Sequence, residues 1–239
     1  MRIARAMLFA AGLGTRMRPL TDHTPKPLIR VGGRALLDHT LDRFLAFGIE
    51  RVMINTHYLA PQIQAHVCAL PAGSRLELSH EDPVLETGGG IVNVLSFFEN
   101  QPFFSANSDT IWVDRGTPAL TRLASAFDPE RMDALLLLHP LSRAVGYHGP
   151  GNFDLTPEGV LLKGPHAPYV FTGLQILHPR LFAGRSAEAF SLRELYQAAD
   201  DGSGKLSRMF GLVHEGDFLH VGSPEELAEA NAFFAALEA

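Results

Sequence analysis

The sequence predicts an α/β fold with a mostly parallel central sheet and helices on both faces. Three observations point there. Short apolar runs alternate with helical patterns along the chain. The first apolar run stops abruptly at a glycine-rich loop. The 239 residues, 46% of them apolar, are enough to bury a full core without crosslinks. Sheets of this kind bind ligands outside the carboxyl ends of their strands. The loops after Phe9, His80 and Asn107 are therefore predicted to share one edge.

Ala4 to Phe9 reads as a buried strand, and Gly12 to Arg30 as a polar loop long enough to be functional. Leu37, Leu41, Phe44 and Leu45 mark one helical face, with Gly48 as the stop. Arg51 to Asn55 is a second strand, Pro61 to Val67 a short helix with proline in its first turn, and Leu76 to His80 a third strand. Gly88 to Gly90 open a helix toward Phe98, and Pro102 to Asn107 is a strand that ends at Ser108-Asp109. A helix over Ala119 to Phe127 and a buried strand over Ala134 to His139 follow. Gly146 to Gly151 is a glycine turn, Phe153 to Leu162 a hairpin around Thr156-Pro157-Glu158-Gly159, and Val170 to Leu177 a further strand. Ser191-Leu-Arg-Glu194 and Ser223-Pro-Glu-Glu226 are capping boxes that start two helices, the second running to about Leu237. No repeat or linker divides the chain, so one domain over residues 1–239 is expected.

Formal net charge is −6, which leaves no electrostatic footprint for nucleic acid. Basic residues do gather at Arg16, Arg18, Lys26 and Arg30, a local patch suited to a small anion. One cysteine, Cys68, permits no internal disulfide, and a cytoplasmic location is expected. The apolar run Ala6 to Ala11 is too short, and too quickly followed by Gly12, Arg16 and Arg18, for a signal peptide. No stretch approaches the ~20 apolar residues of a membrane span.

The richest segment is Leu8-Phe-Ala-Ala-Gly-Leu-Gly-Thr-Arg-Met-Arg-Pro-Leu-Thr21 with the following Pro25-Lys26-Pro27-Leu28. Gly12 and Gly14 let backbone N–H groups turn inward around a phosphate. Arg16 can contact phosphate oxygens in a bidentate way, and Lys26 is a cation on a stiffened loop. A dinucleotide fingerprint would need Gly or Ala at Met17, and no Gly-x-x-x-x-Gly-Lys-Ser/Thr string occurs. The whole string closely resembles the signature of the sugar-phosphate nucleotidyltransferases. The resemblance continues in Glu86-Thr-Gly-Gly-Gly90, Asn107-Ser-Asp109, Phe171-Thr-Gly173 and Val221-Gly222-Ser-Pro-Glu, over about residues 3 to 230. Within that family the chain is most similar to the short N-acetylmuramate 1-phosphate uridylyltransferases. The likeness lies in its compact length, the triple glycine after Glu86-Thr87, the glycine turn before Asn152-Phe153 and the Leu-His-Pro ending at Pro179.

The resemblance implies a Rossmann-like nucleotidyltransferase fold, with about 1–110 holding the nucleotide and about 111–239 the sugar. It implies nucleotide contacts at Ala10, Ala11, Gly12, Gly14, Thr15, Thr87 and Gly88, with Arg16 on the leaving pyrophosphate and Lys26 near the α-phosphate. Glu86, Asn107, Gly151, Asn152, Thr172 and Gly173 would serve the sugar phosphate. Asp109, at a strand end, reads either as a turn residue or, from the resemblance, as a Mg²⁺ ligand. The family usually carries a second metal carboxylate where this chain has His220. Imidazole suits Mn²⁺ better than Mg²⁺, and three readings stand: a ligand, a holder of metal-bound water, or an impaired site. Asp217 falls on the opposite strand face from His220 and is no substitute. Lys163 reads as a second phosphate-binding lysine or as a surface lysine.

The implied reaction is attack by a sugar 1-phosphate on an NTP, giving a nucleotide-sugar and pyrophosphate, with UTP and N-acetylmuramic acid 1-phosphate as the expected pair. Mannose or glucose 1-phosphate with GTP, UTP or dTTP is a rival, as is phosphocholine with CTP. A sensor or regulatory subunit that binds without turnover is a rival of another class, and its support is His220. The expected partners are small molecules only, and the chain's end soon after the helix from Ser223 favours a monomer.

Overall fold

The computed structural model describes residues 2–164 and 166–238. Strand β1 (Arg5–Phe9) leads into the glycine loop. The loop is punctuated by 3-10 turns at Thr15–Met17, Leu20–Asp22 and Lys26–Leu28. A small hairpin of β2 (Arg30–Val31) and β3 (Arg34–Ala35) feeds α1 (Leu36–Phe47), which Gly48 ends in the left-handed region at φ 98°. Then come β4 (Arg51–Thr56), α2 (Ala60–Ala69), β5 (Leu76–His80), α3 (Glu86–Asn93), β6 (Phe103–Asn107), β7 (Thr110–Val113) and α4 (Ala119–Ala126). The second half holds β8 (Ala134–Pro140), β9 (Asp154–Leu155), β10 (Val160–Leu162), β11 (Tyr169–Leu177), α5 (Leu192–Ala198), β12 (Lys205–Val213), β13 (Asp217–His220) and α6 (Pro224–Glu238).

Among the described residues nine strands form one sheet in the order β5-β4-β1-β6-β11-β8-β12-β10-β9. β5, β4, β1 and β6 pair in parallel, β11 runs against β6 and β8, β8 and β12 are parallel, and β10 runs against β12 and β9. Within this sheet every strand but β10 and β11 therefore points one way, the mixed but largely parallel sheet that the sequence predicts. β7 and β13 form a separate antiparallel pair that sets His220 opposite Thr110.

Period-two alternation within each strand splits the core between two faces. Ala6 and Leu8 of β1 pack with α1, α2 and α4 through Leu41, Phe44, Ile63, Val67 and Leu123. Met7, between them, faces the other way, toward Ile91 of α3 and Leu195 and Tyr196 of α5. Fully burying a side chain such as Phe44 contributes about 1.5–3 kcal/mol. Trp112 of β7 is also buried, with the Arg43 guanidinium 5.3 Å from its ring centroid. A third cluster joins Met17, Val31, Ile111, Leu219 and Val221 to Ala230 of α6.

Some details differ from the sequence expectation. The helix predicted to open at Gly88 begins at Glu86 and yields after Asn93 to a 3-10 turn over Leu95–Phe98. There the Val94 N–H already bonds Ile91 O, three residues back. The Ser191 capping box is fully formed. At Ser223 only half forms: Ser223 Oγ accepts from Glu226 N–H, while the Glu226 carboxylate takes the N–H of Gly222 instead. β12 has no clean alternation because Arg208 sits at φ 61° and the register with β10 shifts nearby.

Candidate active site

β4, β1 and β6 are adjacent and parallel, so Asn55, Phe9 and Asn107 end on the same edge of the sheet. Beyond them lies a cavity of about 500 Å³. Its walls are the glycine loop Ala11–Thr15, Lys26 and Pro27, the segment around Glu86 and Thr87, and Asn107 to Asp109.

The loop is shaped by Gly14, held at φ 64° with no room beside Thr21, whose hydroxyl donates to Gly14 O at 2.8 Å. Tyr58 in turn donates to Thr21 O at 2.9 Å. The Ala10 N–H is engaged inside the protein, on Asn55 Oδ1 at 2.8 Å. Lys26 Nζ donates to Asp109 Oδ2 at 2.8 Å, and the two side chains are 12% and 26% exposed. Burial alone would raise the Asp109 carboxyl. The Lys26 ammonium, then the His220 ring and Arg16, pull the other way and hold it below the ordinary carboxylate range. Arg16 is itself solvent-exposed and reaches toward Gly222, where a Cβ would stand 3.1 Å from its Nη2.

β13 approaches this wall because Val221 N–H donates to Asp109 O at 3.0 Å. His220 Nδ1 stands 2.9 Å from Glu226 Oε2 without the alignment of a hydrogen bond. Asp217 pairs instead with Arg115 at 2.8 Å. Among the described residues no group of three His, Cys, Asp or Glu could hold a metal ion unaided.

The opposite wall is fastened to a distant segment. Gly88 and Gly89 N–H groups donate to Phe190 O, Phe190 N–H donates to Leu85 O, and Thr87 Oγ1 accepts from Leu192 N–H at 3.0 Å. This brings Ser191 into the cavity. Gly88 lies behind the wall, against the Phe190 ring, with its N–H already taken. Glu86 lines the cavity at φ 58°, a backbone conformation that non-glycine residues rarely adopt and that clusters at functional sites.

Five further residues expected from the sequence are not in the cavity wall. Thr172 is buried and donates to Leu137 O at 2.9 Å. Gly173, at φ 85°, lets β11 approach Asn107: a Cβ there would stand 2.9 Å from Asn107 Nδ2. Gly151 packs against Ala167 O, and Asn152 Oδ1 accepts from Phe171 N–H at 2.8 Å, tying the glycine turn to β11. Lys163 pairs with Asp200 at 3.3 Å. The sequence reading passed over Asn55, Val84 and Ser191, which do line the cavity. Asn55 carried a signal, a polar residue closing a buried strand; Ser191 carried none, because only the fold brings it there.

Residues 6–212 match the profile of the MobA-like NTP transferase domain. The chain belongs to the MobA-like NTP transferase family. It is 40% identical over 235 residues to a protein of Caulobacter vibrioides named N-acetylmuramate alpha-1-phosphate uridylyltransferase, covering 95% of each chain. A protein of the same name from Neisseria meningitidis is 35% identical, over 95% of this chain and 97% of its own. The fold matches an inositol-1-phosphate CTP transferase from T. maritima at TM-score 0.76 and 18% identity, over 99% of this chain and 96% of that one. An apo UDP-glucose pyrophosphorylase matches at TM-score 0.77 and 18% identity over the whole of both chains. Members of the family typically use a divalent metal. No helix among the described residues is long and apolar enough to cross a membrane.

Proposed function

We propose that this chain is a sugar-1-phosphate nucleotidyltransferase that joins UTP to N-acetylmuramic acid 1-phosphate, with release of pyrophosphate. The observation that carries this is 40% identity, over 95% of each chain, to the uridylyltransferase of Caulobacter vibrioides. The glycine loop and the Lys26–Asp109 pair at the carboxyl edge of the sheet support it. An oxygen of the sugar phosphate attacks the α-phosphorus of UTP, a P–O bond forms, and the bond from the α-phosphorus to the bridging oxygen breaks. The nucleophile is already anionic near neutrality, so positioning and charge neutralisation carry the reaction.

In this reading the nucleotide part spans about residues 1–110 and the sugar part about 111–239. Ala10, Ala11, Gly12, Gly14 and Thr15 shape the phosphate cradle. Lys26 gathers charge at the α-phosphate, and Arg16 swings from the Gly222 turn onto the pyrophosphate. Thr87 and Gly88 form the base and ribose wall, Gly88 by its shape because its N–H is engaged. Glu86 and Asn107 face the sugar phosphate, while Gly151, Asn152, Thr172 and Gly173 hold β11 and its turn around it.

Asp109 would hold the divalent ion, with His220 beside it. Its carboxylate, kept charged at the cavity wall, fits an ion that keeps waters and leans on substrate phosphates, as Mg²⁺ does. When bound, that ion supplies neutralisation of phosphate charge. The imidazole at His220 extends the expected range to Mn²⁺. The reading includes a monomer in the cytoplasm, a setting that the single cysteine suits.

The test is pyrophosphate release across a grid of NTPs and sugar 1-phosphates, run with Mg²⁺ and with Mn²⁺. Turnover concentrated on UTP with N-acetylmuramic acid 1-phosphate is expected. Preference for another pair would reassign the substrates, and absence of turnover throughout would remove the activity.

A further inference from the structure

Glu81 is a carboxylate buried to 2% exposure that has no part in the chemistry described above. Both its oxygens accept hydrogen bonds. Asn55 Nδ2 donates to Oε1 at 2.8 Å, and Leu85 N–H donates to Oε2 at 2.9 Å. Asn55, 3% exposed, is fixed from its other end too, because Oδ1 accepts from Ala10 N–H. The orientation of the Asn55 amide follows from chemistry: a backbone N–H requires the oxygen, which leaves the NH₂ group for Glu81. The backbone at Glu81 is itself pinned, its N–H on Thr56 O and its carbonyl against His57 Nδ1 at 2.8 Å.

The result is a continuous buried bridge from Ala10 through Asn55 and Glu81 to Leu85. Ala10 is the residue before the glycine loop, and Leu85 the residue before Glu86 and Thr87. The two ends of the bridge are thus the starts of the two facing walls of the cavity. Gly90 makes room for it. A Cβ at Gly90 would stand 2.7 Å from Glu81 Oε1 and 3.1 Å from Asn55 Nδ2. The third glycine of the Thr87-Gly-Gly-Gly90 string is the slot in which the bridge lies.

We propose that Asn55 and Glu81 are positioning residues that set the separation of the two walls for a bound nucleoside triphosphate. This rests on the reading of the cavity as the nucleotide site. Glutamate is required at position 81 because two donors converge on it. Glutamine would turn an NH₂ group against either the Asn55 amide or the Leu85 N–H. Aspartate at position 55 would set two carboxylates against each other. Made together, the two changes restore every link with the same heavy-atom shapes. The introduced aspartate accepts from Ala10 N–H and from the amide of the introduced glutamine, whose oxygen accepts from Leu85 N–H.

The test is UTP affinity by titration calorimetry, without sugar phosphate, on wild type, Asn55→Asp, Glu81→Gln and the double variant, with circular dichroism to establish folding. Each single variant is expected to bind UTP about tenfold more weakly, the scale of one mismatched buried hydrogen bond. The double variant is expected to recover to within about threefold of wild type, as three matched links require. Asn55→Asp is the matched control, since it carries the same added charge at the cavity wall. Single variants that bind like wild type, or a double variant no tighter than either, would overturn the proposal. Should a single variant not fold, the double variant decides alone: folded and tight supports the bridge, and unfolded or weak overturns it. Wild type that binds UTP yet releases no pyrophosphate would remove the activity and leave the bridge standing. Wild type that binds no UTP would overturn both.

Discussion

Lys26 and Asp109 are 83 positions apart in sequence and 2.8 Å apart in space. Each side chain satisfies the other while no phosphate is present, so neither charge sits uncompensated in a partly buried wall. In the proposed reading a triphosphate offers Lys26 a competing anion and a divalent ion would take up Asp109, so the pair can separate without leaving a partly buried charge unmet. Lys26→Ala leaves Asp109 only partly exposed but still near the His220 ring and Arg16, so the variant is expected to fold and to lower kcat by roughly 10²–10³-fold, the loss typical of a single donor aimed at developing charge. Steady-state pyrophosphate release checks this, and near wild-type turnover would remove Lys26 from the chemistry. Both residues were legible in the sequence through the motifs around them. Asn55 and Glu81 were not, because their meaning lies in a hydrogen-bond chain between strands that no spacing along the chain displays.

At the scale of elements, α5 shows how a short helix holds the cavity's far wall. Its seven residues dock through Leu192, Leu195 and Tyr196 beneath the sheet. The buried Tyr196 hydroxyl donates to Gln175 Oε1 at 2.5 Å, and burial pushes its ionisation up. Tyr196→Phe would strand the Gln175 oxygen, at a cost of about 1–3 kcal/mol. That corresponds to a fall in Tm of about 2–4 °C per kcal/mol, which scanning calorimetry would read; an unchanged Tm would show that Gln175 finds another donor. The capping box that starts α5 was readable from four residues. β7, β12 and the β2–β3 hairpin were not. β12 carries the left-handed Arg208, and the other three strands are only two to four residues long, too short for a periodic pattern to register.

For the whole molecule, the alternation of strands and helices was enough to give the layered architecture and the edge on which the site lies. The strand order beyond β6 was not, since the reversal of β11 depends on packing between distant segments. The helix α6 packs on the β2–β3 hairpin. There Phe234 fills the space beside Gly32, which stands at φ 54°, and Gly32 N–H donates to Asn231 Oδ1 at 3.0 Å. Gly32→Ala would strain the turn by about 1–2 kcal/mol and push on the ring as well. A Tm lowered by several degrees, at about 2–4 °C per kcal/mol, is expected from thermal denaturation. Wild-type stability would mean that α6 contributes little to the hold.

Trp112 is the chain's one tryptophan, and it sits on the strand that leaves Asp109. Its indole is shut away from water and lies beside a guanidinium. Its fluorescence is therefore a single, unmixed signal, expected to be blue-shifted and shielded from soluble quenchers. Changes in that colour would follow the wall carrying Asp109, and its shift to the red would follow unfolding. The molecule thus carries its own optical gauge, and its states can be watched without attaching a label.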